Sequence, residues 1–348
     1  MWWKMREITR RQTQLLRCIV QSYIQTATPV SSDLVVRQRN TMSCSTATIR
    51  NEMVNLESMG YLNQPHTSAG RIPTDRAFRL YVDALMRKEK LTRQEQERIR
   101  NLTGRQGDIY EILEQASQIL GQISNELAIV LTPSVSHAIF DKLELISLNA
   151  NKVLVVIHVR SRSVKTIVIQ IDSKLKEQDL KNTASVLNER LTGLPLHEIQ
   201  VSIRDRCQHA SNTNGKLIRF LIDSAEEIFN INEPLSVRTF GTHNILSQPE
   251  FSDKMLLELL FEVIEDRKSL SSMLQLQQRP FQVIIGQEHQ DKRLKPFSVV
   301  SARYQIGTDS GAIGIIGPKR MRYSKIMPLV EKIAGTISLH LGEKYYEN

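Results

Sequence analysis

The sequence predicts an α+β protein of two or three domains, and three observations lead to this prediction. A chain of 348 residues exceeds the usual size of a single domain. The first ninety residues combine helical periodicity with one short hairpin pattern and carry most of the net charge. The remaining residues alternate β-branched, strand-like segments with amphipathic helical segments, which is typical of an antiparallel sheet accompanied by helices.

The positive charge is concentrated at the N-terminus. The whole chain has a formal charge of +9, from 46 Lys and Arg against 37 Asp and Glu. Residues 1–90 hold 14 of the basic and 7 of the acidic residues, whereas the other 258 residues hold 32 and 30. A basic module attached to a neutral body indicates a polyanionic partner. A basic surface that serves only solubility is the alternative.

Two helices are predicted at the start of the chain. The segment Thr9-Arg10-Arg11-Gln12 reads as a capping box, and apolar residues at helical spacing follow it. Pro29 ends this helix, because the residue before a proline avoids helical geometry. Ser31 or Ser32 then caps a short second helix.

A third helix is predicted from Ser45 to Gly60, and its two sides differ in chemistry. Ile49, Met53 and Leu56 form an apolar stripe at helical spacing. The opposite side is small, polar and modestly charged, which suits the major groove, where Asn pairs with adenine and Arg with guanine. An ordinary solvated helix face is the alternative. The residues of this helix that we expect to contact DNA are Ser45, Thr46, Thr48, Arg50, Asn51 and Asn55.

A short hairpin is predicted directly after the third helix. Tyr61-Leu62 and Arg71-Ile72 read as two strands around a compact turn, and Thr74 then caps a fourth helix. Three helices followed by a hairpin are the plan of a winged helix-turn-helix, whose third helix enters the groove of DNA.

The hairpin supplies further candidate contacts to DNA. Arg71 and the hydroxyl groups of Thr67 and Ser68 suit contacts with phosphate. His66 is a candidate for a DNA contact or, equally, an exposed side chain without a ligand.

In the body of the chain, two groups of predicted strands are separated by helical segments. A strongly charged connecting helix is expected at residues 91–105, and an antiparallel meander is expected after it. Helical patterns dominate residues 173–246, so a sheet that stops and resumes indicates an inserted subdomain there. The predicted strands are Leu127–Leu131, Leu143–Leu148, Val153–Val159, Val164–Ile171, Phe281–Ile285, Phe297–Tyr304 and Ala312–Ile316.

No catalytic or metal-binding pattern is evident in the sequence. The cysteines Cys18, Cys44 and Cys207 lie far apart, and the eight histidines have no ligand spacing. Three glycines between positions 311 and 317 do not match a phosphate-binding loop. We expect neither a metal nor another cofactor, and no enzymatic activity. Without a signal peptide or an apolar run of about 18 residues, a cytoplasmic protein with no membrane partner is expected.

Several segments of the sequence match one known pattern: Thr28–Ser31, Ser45–Met53, Leu56-Glu57, Met59–Leu62, Gln64–Asp75, Tyr81–Asp83, Val283–Glu288, Gly311–Tyr323 and Pro328–Val330. Through these segments the sequence resembles the HrcA family of heat-inducible transcription repressors. One departure is the segment 40–44, where the family has a more apolar sequence.

The resemblance implies a full domain plan. It implies a winged helix-turn-helix at 1–90, a linker helix at 91–105, and a GAF-like antiparallel-sheet domain at 106–172 and 247–348. An inserted α/β dimerisation subdomain would occupy 173–246.

The resemblance also implies a mode of action. A homodimer would bind double-stranded operator DNA at the inverted repeat (CIRCE) of the groE and dnaK operons and release it on heat shock, with the GroEL chaperonin as a modulator. Two other functions remain open: a metabolite-responsive regulator whose GAF-like domain binds a ligand, and an enzyme with an accessory nucleic-acid domain.

Overall fold

The structure is a computed structural model, and it confirms the α+β class, because helices accompany sheets that are antiparallel throughout. None of the helices in the described ranges combines the length and the apolar character that a bilayer crossing demands. The structure describes residues 8–37, 45–66, 69–102, 109–132, 139–149, 151–159, 164–171, 176–207, 215–229, 237–275, 279–306 and 309–346.

Strands and helices alternate irregularly along the chain. The strands are β1 (Leu62–Asn63), β2 (Ile72–Pro73), β3 (Leu127–Leu131), β4 (Phe140–Asn149), β5 (Lys152–Val159), β6 (Val164–Gln170), β7 (Val237–Phe240), β8 (Phe281–Ile285), β9 (Phe297–Ile306) and β10 (Asp309–Pro318). The helices are α1 (Arg10–Thr26), α2 (Ser32–Arg37), α3 (Thr46–Ser58), α4 (Asp75–Leu80), α5 (Arg93–Arg100), α6 (Ile109–Ser124), α7 (Glu177–Leu191), α8 (Leu196–Cys207), α9 (Gly215–Asp223), α10 (Ala225–Phe229), α11 (Thr242–Leu246), α12 (Lys254–Glu265), α13 (Arg267–Gln275) and α14 (Tyr323–Tyr346).

Helices α1 to α4 and the hairpin β1–β2 form the N-terminal part, which we call the head (residues 8–85). The predicted capping box of α1 is confirmed: the Thr9 amide donates to Gln12 Oε1 at 3.0 Å, and the Gln12 amide donates to Thr9 Oγ1 at 3.2 Å. Ser31 caps α2, since its Oγ accepts from the Leu34 amide at 3.2 Å. Thr74 caps α4 as predicted, and a π-helical turn continues that helix to Leu85. Local capping signals therefore set the helix starts of the head.

A five-stranded antiparallel sheet, in the order β7-β3-β10-β9-β8, forms the centre of the body. Helices α6 and α14 cover one face, and their apolar side chains join those of the head in one hydrophobic cluster. Apolar side chains of α11, α12 and α13 cover the opposite face in a second cluster. This sheet is therefore the middle layer of three.

A separate three-stranded sheet, in the order β4-β5-β6, packs against α7 to α10 around its own hydrophobic cluster. Leu143, Leu145, Val155 and Ile157 point into this cluster and alternate along their strands with more exposed residues. One face of this sheet is thus buried and the other is open.

The expected single meander from Leu127 to Ile171 is wrong, because its strands belong to two different sheets. Strand β3 is buried at every position and pairs with β7 and β10, whereas β4 and β5 alternate between buried and exposed. A continuous apolar run suits a strand covered on both faces, and alternation suits a strand covered on one. The described residues of this second cluster run from Phe140 to Phe229, and β7 then returns the chain to the central sheet.

Candidate nucleic-acid interface

Helix α3 is held in the head by its apolar side. Ser45 caps its N-terminus, accepting a hydrogen bond from the Thr48 amide at 3.2 Å, as the sequence predicts. Ile49, Met53 and Leu56 are buried against the other elements of the head, chiefly α1, α2 and β1. The opposite side of α3 is consequently turned to solvent.

The exposed side of α3 carries amide and guanidinium groups. Asn51 and Asn55 lie one helical turn apart, and both are exposed, as is Arg50. Their amide and guanidinium groups can form paired hydrogen bonds with adenine and guanine edges. The remaining predicted residues of this helix lie at its N-terminus, with Ser45 exposed and Thr46 and Thr48 half-buried.

Val54 also lies on this exposed side and is not among the residues predicted from the sequence to contact DNA. Its side chain is 48% exposed, three residues after Asn51 and four after Arg50. The helical spacing from Asn51 was the signal that could have identified it. An exposed apolar group on such a face can contact the methyl group of thymine.

The two carboxylates of α3 are paired with partners from elsewhere in the head. Glu52 accepts a hydrogen bond from Gln12 Nε2 at 3.0 Å and lies 3.9 Å from the Arg11 guanidinium. Glu57 lies 2.9 Å from Arg71 Nε. Their negative charge is thereby compensated beside the face that carries Arg50, which lowers repulsion toward a polyanion.

The hairpin next to α3 is small and well connected. Leu62 pairs with Pro73 and Asn63 with Ile72, one residue later than predicted on both strands. At the tip, Gln64 Nε2 donates to the Ala69 carbonyl at 3.0 Å.

The residues predicted to contact DNA from the hairpin tip are His66, Thr67 and Ser68. His66 is exposed, and its carbonyl accepts from the Ala69 amide at 2.9 Å. Thr67 and Ser68 lie outside the described residues.

Arg71 lies at the base of the hairpin instead of on its surface. Its side chain is only 13% exposed and pairs with Glu57. The backbone of Arg71 exchanges hydrogen bonds with the backbone of Val30, at 2.8 and 2.9 Å. This isolated β-bridge joins the loop between α1 and α2 to the edge of the hairpin. This placement favours a role in holding the hairpin against α3.

A crevice of about 710 Å³ lies where the head meets β8, outside the face described above. The guanidinium of Arg79, which lines it, already bonds to Glu288, Asp83 and the Val283 carbonyl. Among the described residues, no group of three or more His, Cys, Asp or Glu side chains could hold a metal ion. The exposed side of α3 is therefore the site that the geometry supports best.

The family model and the curated relatives name the same family. Residues 110–327 match the family model described as HrcA protein C terminal domain. The chain is 38% identical over 345 residues to the heat-inducible transcription repressor HrcA of Chlorobium chlorochromatii, which covers 97% of this chain and 98% of that protein. It is 34% identical over 338 residues to the protein of the same name from Geobacter sulfurreducens, with 96% and 98% covered. A crystal structure described as a hypothetical protein at 2.2 Å resolution aligns over 97% of this chain and 99% of its own, at 25% identity and a TM-score of 0.66.

Proposed function

Because this chain belongs to the HrcA family of heat-inducible transcription repressors, we propose that it binds operator DNA and represses the transcription of heat-shock genes. The proposal depends on one observation: the exposed face of α3 presents Arg50, Asn51 and Asn55 while its carboxylates are paired elsewhere. The protein acts in the cytoplasm, where the operator is, and needs no cofactor for binding.

The proposed DNA-binding unit is the head, acting as a winged helix-turn-helix. Helix α3 enters the major groove, with Asn51 and Asn55 bonding to adenine, Arg50 to guanine, and Val54 in contact with a thymine methyl group. The residues at the N-terminus of α3, Ser45, Thr46 and Thr48, contact a phosphate, which the positive end of the helix dipole also attracts.

The hairpin forms the wing of the proposed winged helix-turn-helix. The proposed contacts of the wing with the sugar-phosphate backbone are made by His66, Thr67 and Ser68, and Arg71 keeps the wing in place through its pair with Glu57.

The proposed active form is a homodimer, and the open face of the three-stranded sheet is its contact. Ile146, Leu154 and Val168 lie side by side across β4, β5 and β6, and Ile146 and Val168 are 45% and 55% exposed. A second copy related by a two-fold axis covers such a self-complementary face. The two α3 helices then meet an inverted repeat with half-sites about 34 Å apart or a multiple of that distance.

We extend the proposal to the operator and the modulator that the family resemblance implies. The operator is the CIRCE inverted repeat of the groE and dnaK operons, and the GroEL chaperonin modulates the amount of active repressor. The five-stranded sheet with helices on both faces supports the GAF-like interpretation of the body.

The proposal is tested by measuring the binding of the purified chain to a duplex that holds the inverted repeat and to a duplex that holds one half-site. We expect tight binding to the first and weak binding to the second, because only the full site engages both heads. Equal binding to both duplexes would contradict recognition by a dimer.

The role of α3 is tested with Asn51→Ala, for which Asn182→Ala on the exposed surface of α7 is the matched control. Loss of a bidentate contact to a base costs about 1–3 kcal/mol of binding free energy and relaxes specificity at that base pair. The control should bind as the wild type does. An unchanged affinity for N51A would remove Asn51 from the interface.

A further inference from the structure

Several segments that carry the family resemblance lie outside the DNA-facing surface. Asp75 ends one of them, Gly286 to Glu288 end another, and Lys319 lies in a third. In the folded chain these residues meet where the head contacts the body. We call this contact, formed by Asp75, Arg79, Gly286, Gln287, Glu288 and Lys319, the junction.

Asp75 is the first residue of α4, and both its carboxylate oxygens bind the body. Lys319 Nζ donates to Oδ1 at 2.6 Å, and the Gln287 amide donates to Oδ2 at 2.9 Å. The side chains of Asp75 and Lys319 are only 21% and 36% exposed. The carboxylate thus ties the head to two separate segments of the body.

Gly286 makes room for this carboxylate. Its φ is +55°, and a Cβ atom at this position would lie 2.1 Å from Asp75 Oδ2 and 2.3 Å from Asp75 Cγ. A side chain on residue 286 would therefore displace Asp75. A glycine at position 286 of the body thus permits the position that Asp75 of the head occupies.

Arg79 lies one helical turn after Asp75 and forms the second part of the junction. Its Nε donates to Glu288 Oε1 at 2.7 Å, and its Nη2 donates to the Val283 carbonyl at 2.6 Å and to the other oxygen of Glu288. Val283 belongs to β8, which is an edge strand of the central sheet. Arg79 therefore satisfies an edge carbonyl of the central sheet from the head.

Apolar packing supports these polar contacts. Phe78 of α4 packs on Tyr323 of α14 with ring centroids 6.3 Å apart, and both side chains are buried. The cluster that contains them runs from α1 into the core of the body without interruption. Because apolar packing has no preferred direction, it holds the head against the body without setting its orientation, which the directed polar contacts of the junction can do.

We infer that the junction is a latch that sets the orientation of the head, and that Asp75, Arg79 and Lys319 are positioning residues for operator recognition. The inference rests on the proposed function of the head. A fixed head in each subunit of a two-fold dimer holds the two α3 helices at one separation and one relative rotation. The latch therefore determines which spacing between half-sites the protein accepts.

The first experiment measures affinity for the inverted repeat at its native spacing and with two base pairs inserted between the half-sites. In the wild type, the insertion prevents both heads from binding at once and lowers affinity by about 100-fold. In Asp75→Asn, Lys319→Met and Arg79→Gln, we expect a weaker affinity at native spacing and a penalty for the insertion of about tenfold or less. The control Arg206→Gln breaks a somewhat more exposed Arg–Glu pair in α8, away from the junction, and it should keep the wild-type penalty.

The double variant of Asp75→Asn and Lys319→Met shows whether the two residues act through each other. Since they form one pair, the double variant should tolerate the insertion no better than either single variant. Additive effects, or a wild-type penalty in all junction variants, would overturn the inference.

The second experiment needs no DNA and keeps a failure of the latch distinct from a failure of the proposed function. Spin labels are placed at the exposed positions Ser58 and Met255 after replacement of the native cysteines, and the labelled chain is diluted into unlabelled protein. The distance distribution should be narrow in the wild type and broad in the D75N/K319M variant, with unchanged circular dichroism. Equal widths would overturn the latch, whereas narrow wild-type distances without operator binding would overturn the proposed function alone.

Discussion

The two larger sheets of this protein differ in how many of their faces are covered. The central five-stranded sheet has a hydrophobic cluster on each face, and its strand β3 is buried at all five positions. The three-stranded sheet has one cluster on one face, while Ile146, Leu148 and Val168 are 45–55% exposed on the strands of the same sheet.

This difference separates a structural layer from the proposed contact surface. Every residue of a fully covered sheet is restricted by neighbours on both sides, so that additional volume or an unpaired charge destabilises the fold. An open apolar face costs little to change in the isolated subunit and gains its value only when a partner covers it. Three predictions test this contrast through the free energy of unfolding, in decreasing order of expected effect.

The largest effect is expected for Gly314→Val in β10. A Cβ atom on Gly314 would lie 2.5 Å from the Val300 carbonyl oxygen and 2.7 Å from Ser301 Cβ of the neighbouring strand. We expect a loss of about 3 kcal/mol or more in the free energy of unfolding, measured by urea denaturation. The control Gly335→Ala in α14, where no atom of the described residues lies within 4 Å of the added Cβ, should instead gain about 0.5–1 kcal/mol. A neutral G314V variant would show that the central sheet is loosely packed.

The second prediction compares two glutamates in different settings. Glu126 directly precedes β3 and is almost fully buried, and its Oε2 has no hydrogen-bond partner among the described residues. Burial raises the pKa of Glu126 to about 8, although Arg320 partly offsets this effect. Glu144 on β4 is solvent-exposed, and its hydrogen bond from Lys142 lowers its pKa.

The raised pKa of Glu126 makes stability depend on pH. Between pH 6 and 8 the folded chain keeps the Glu126 proton, whereas the unfolded chain has already lost it, so stability falls as pH rises. The expected loss over this interval is about 2 kcal/mol. Glu126→Gln should reduce this loss, and Glu144→Gln should leave it unchanged, in urea denaturation at both pH values. An equal pH dependence in E126Q and the wild type would show that Glu126 ionises in the folded protein.

The smallest effect on the subunit is expected for Val168→Thr on the open face. Val168 is 55% exposed and its neighbour Ile169 is 5% exposed, so the two faces of β6 can be compared at adjacent positions. Ile169→Thr should cost about 2–3 kcal/mol, whereas Val168→Thr should cost less than about 0.5 kcal/mol.

Val168→Thr should nevertheless weaken dimer formation by about tenfold, because a two-fold interface contains the residue twice. Urea denaturation at several protein concentrations, together with sedimentation equilibrium, separates subunit stability from association. A dimer constant unchanged by V168T would place the subunit contact on another surface.

The parts of the fold that the sequence could predict depend on local interactions. The caps at Thr9, Ser45 and Thr74 involve residues three positions away, and the inner stripe of α3 follows from helical periodicity alone. For the same reason the exposed positions of α3 were available from the sequence, although Val54 was passed over.

The parts that the sequence could not predict depend on partners distant in the chain. Strand β3 is followed directly by β4, yet it pairs with β7, so that Ile129 lies opposite Thr239. Arg71 has the expected charge for a phosphate contact, but its pairing with Glu57 depends on how the hairpin packs on α3. The junction joins Asp75 to Lys319 across most of the chain, and no local pattern links these two positions.

The pairing of β3 with β7 makes the three-stranded sheet and its helices a removable module. Leu131 lies opposite Val237, so the chain leaves and re-enters the central sheet at adjacent positions, as it would around the tip of an ordinary β-hairpin. Replacing residues 132–236 with a two-residue Asn-Gly turn would close the same strand pair with a far shorter loop. If the proposed dimer contact is correct, the shortened protein would be a monomer that binds one half-site of the inverted repeat and cannot span two.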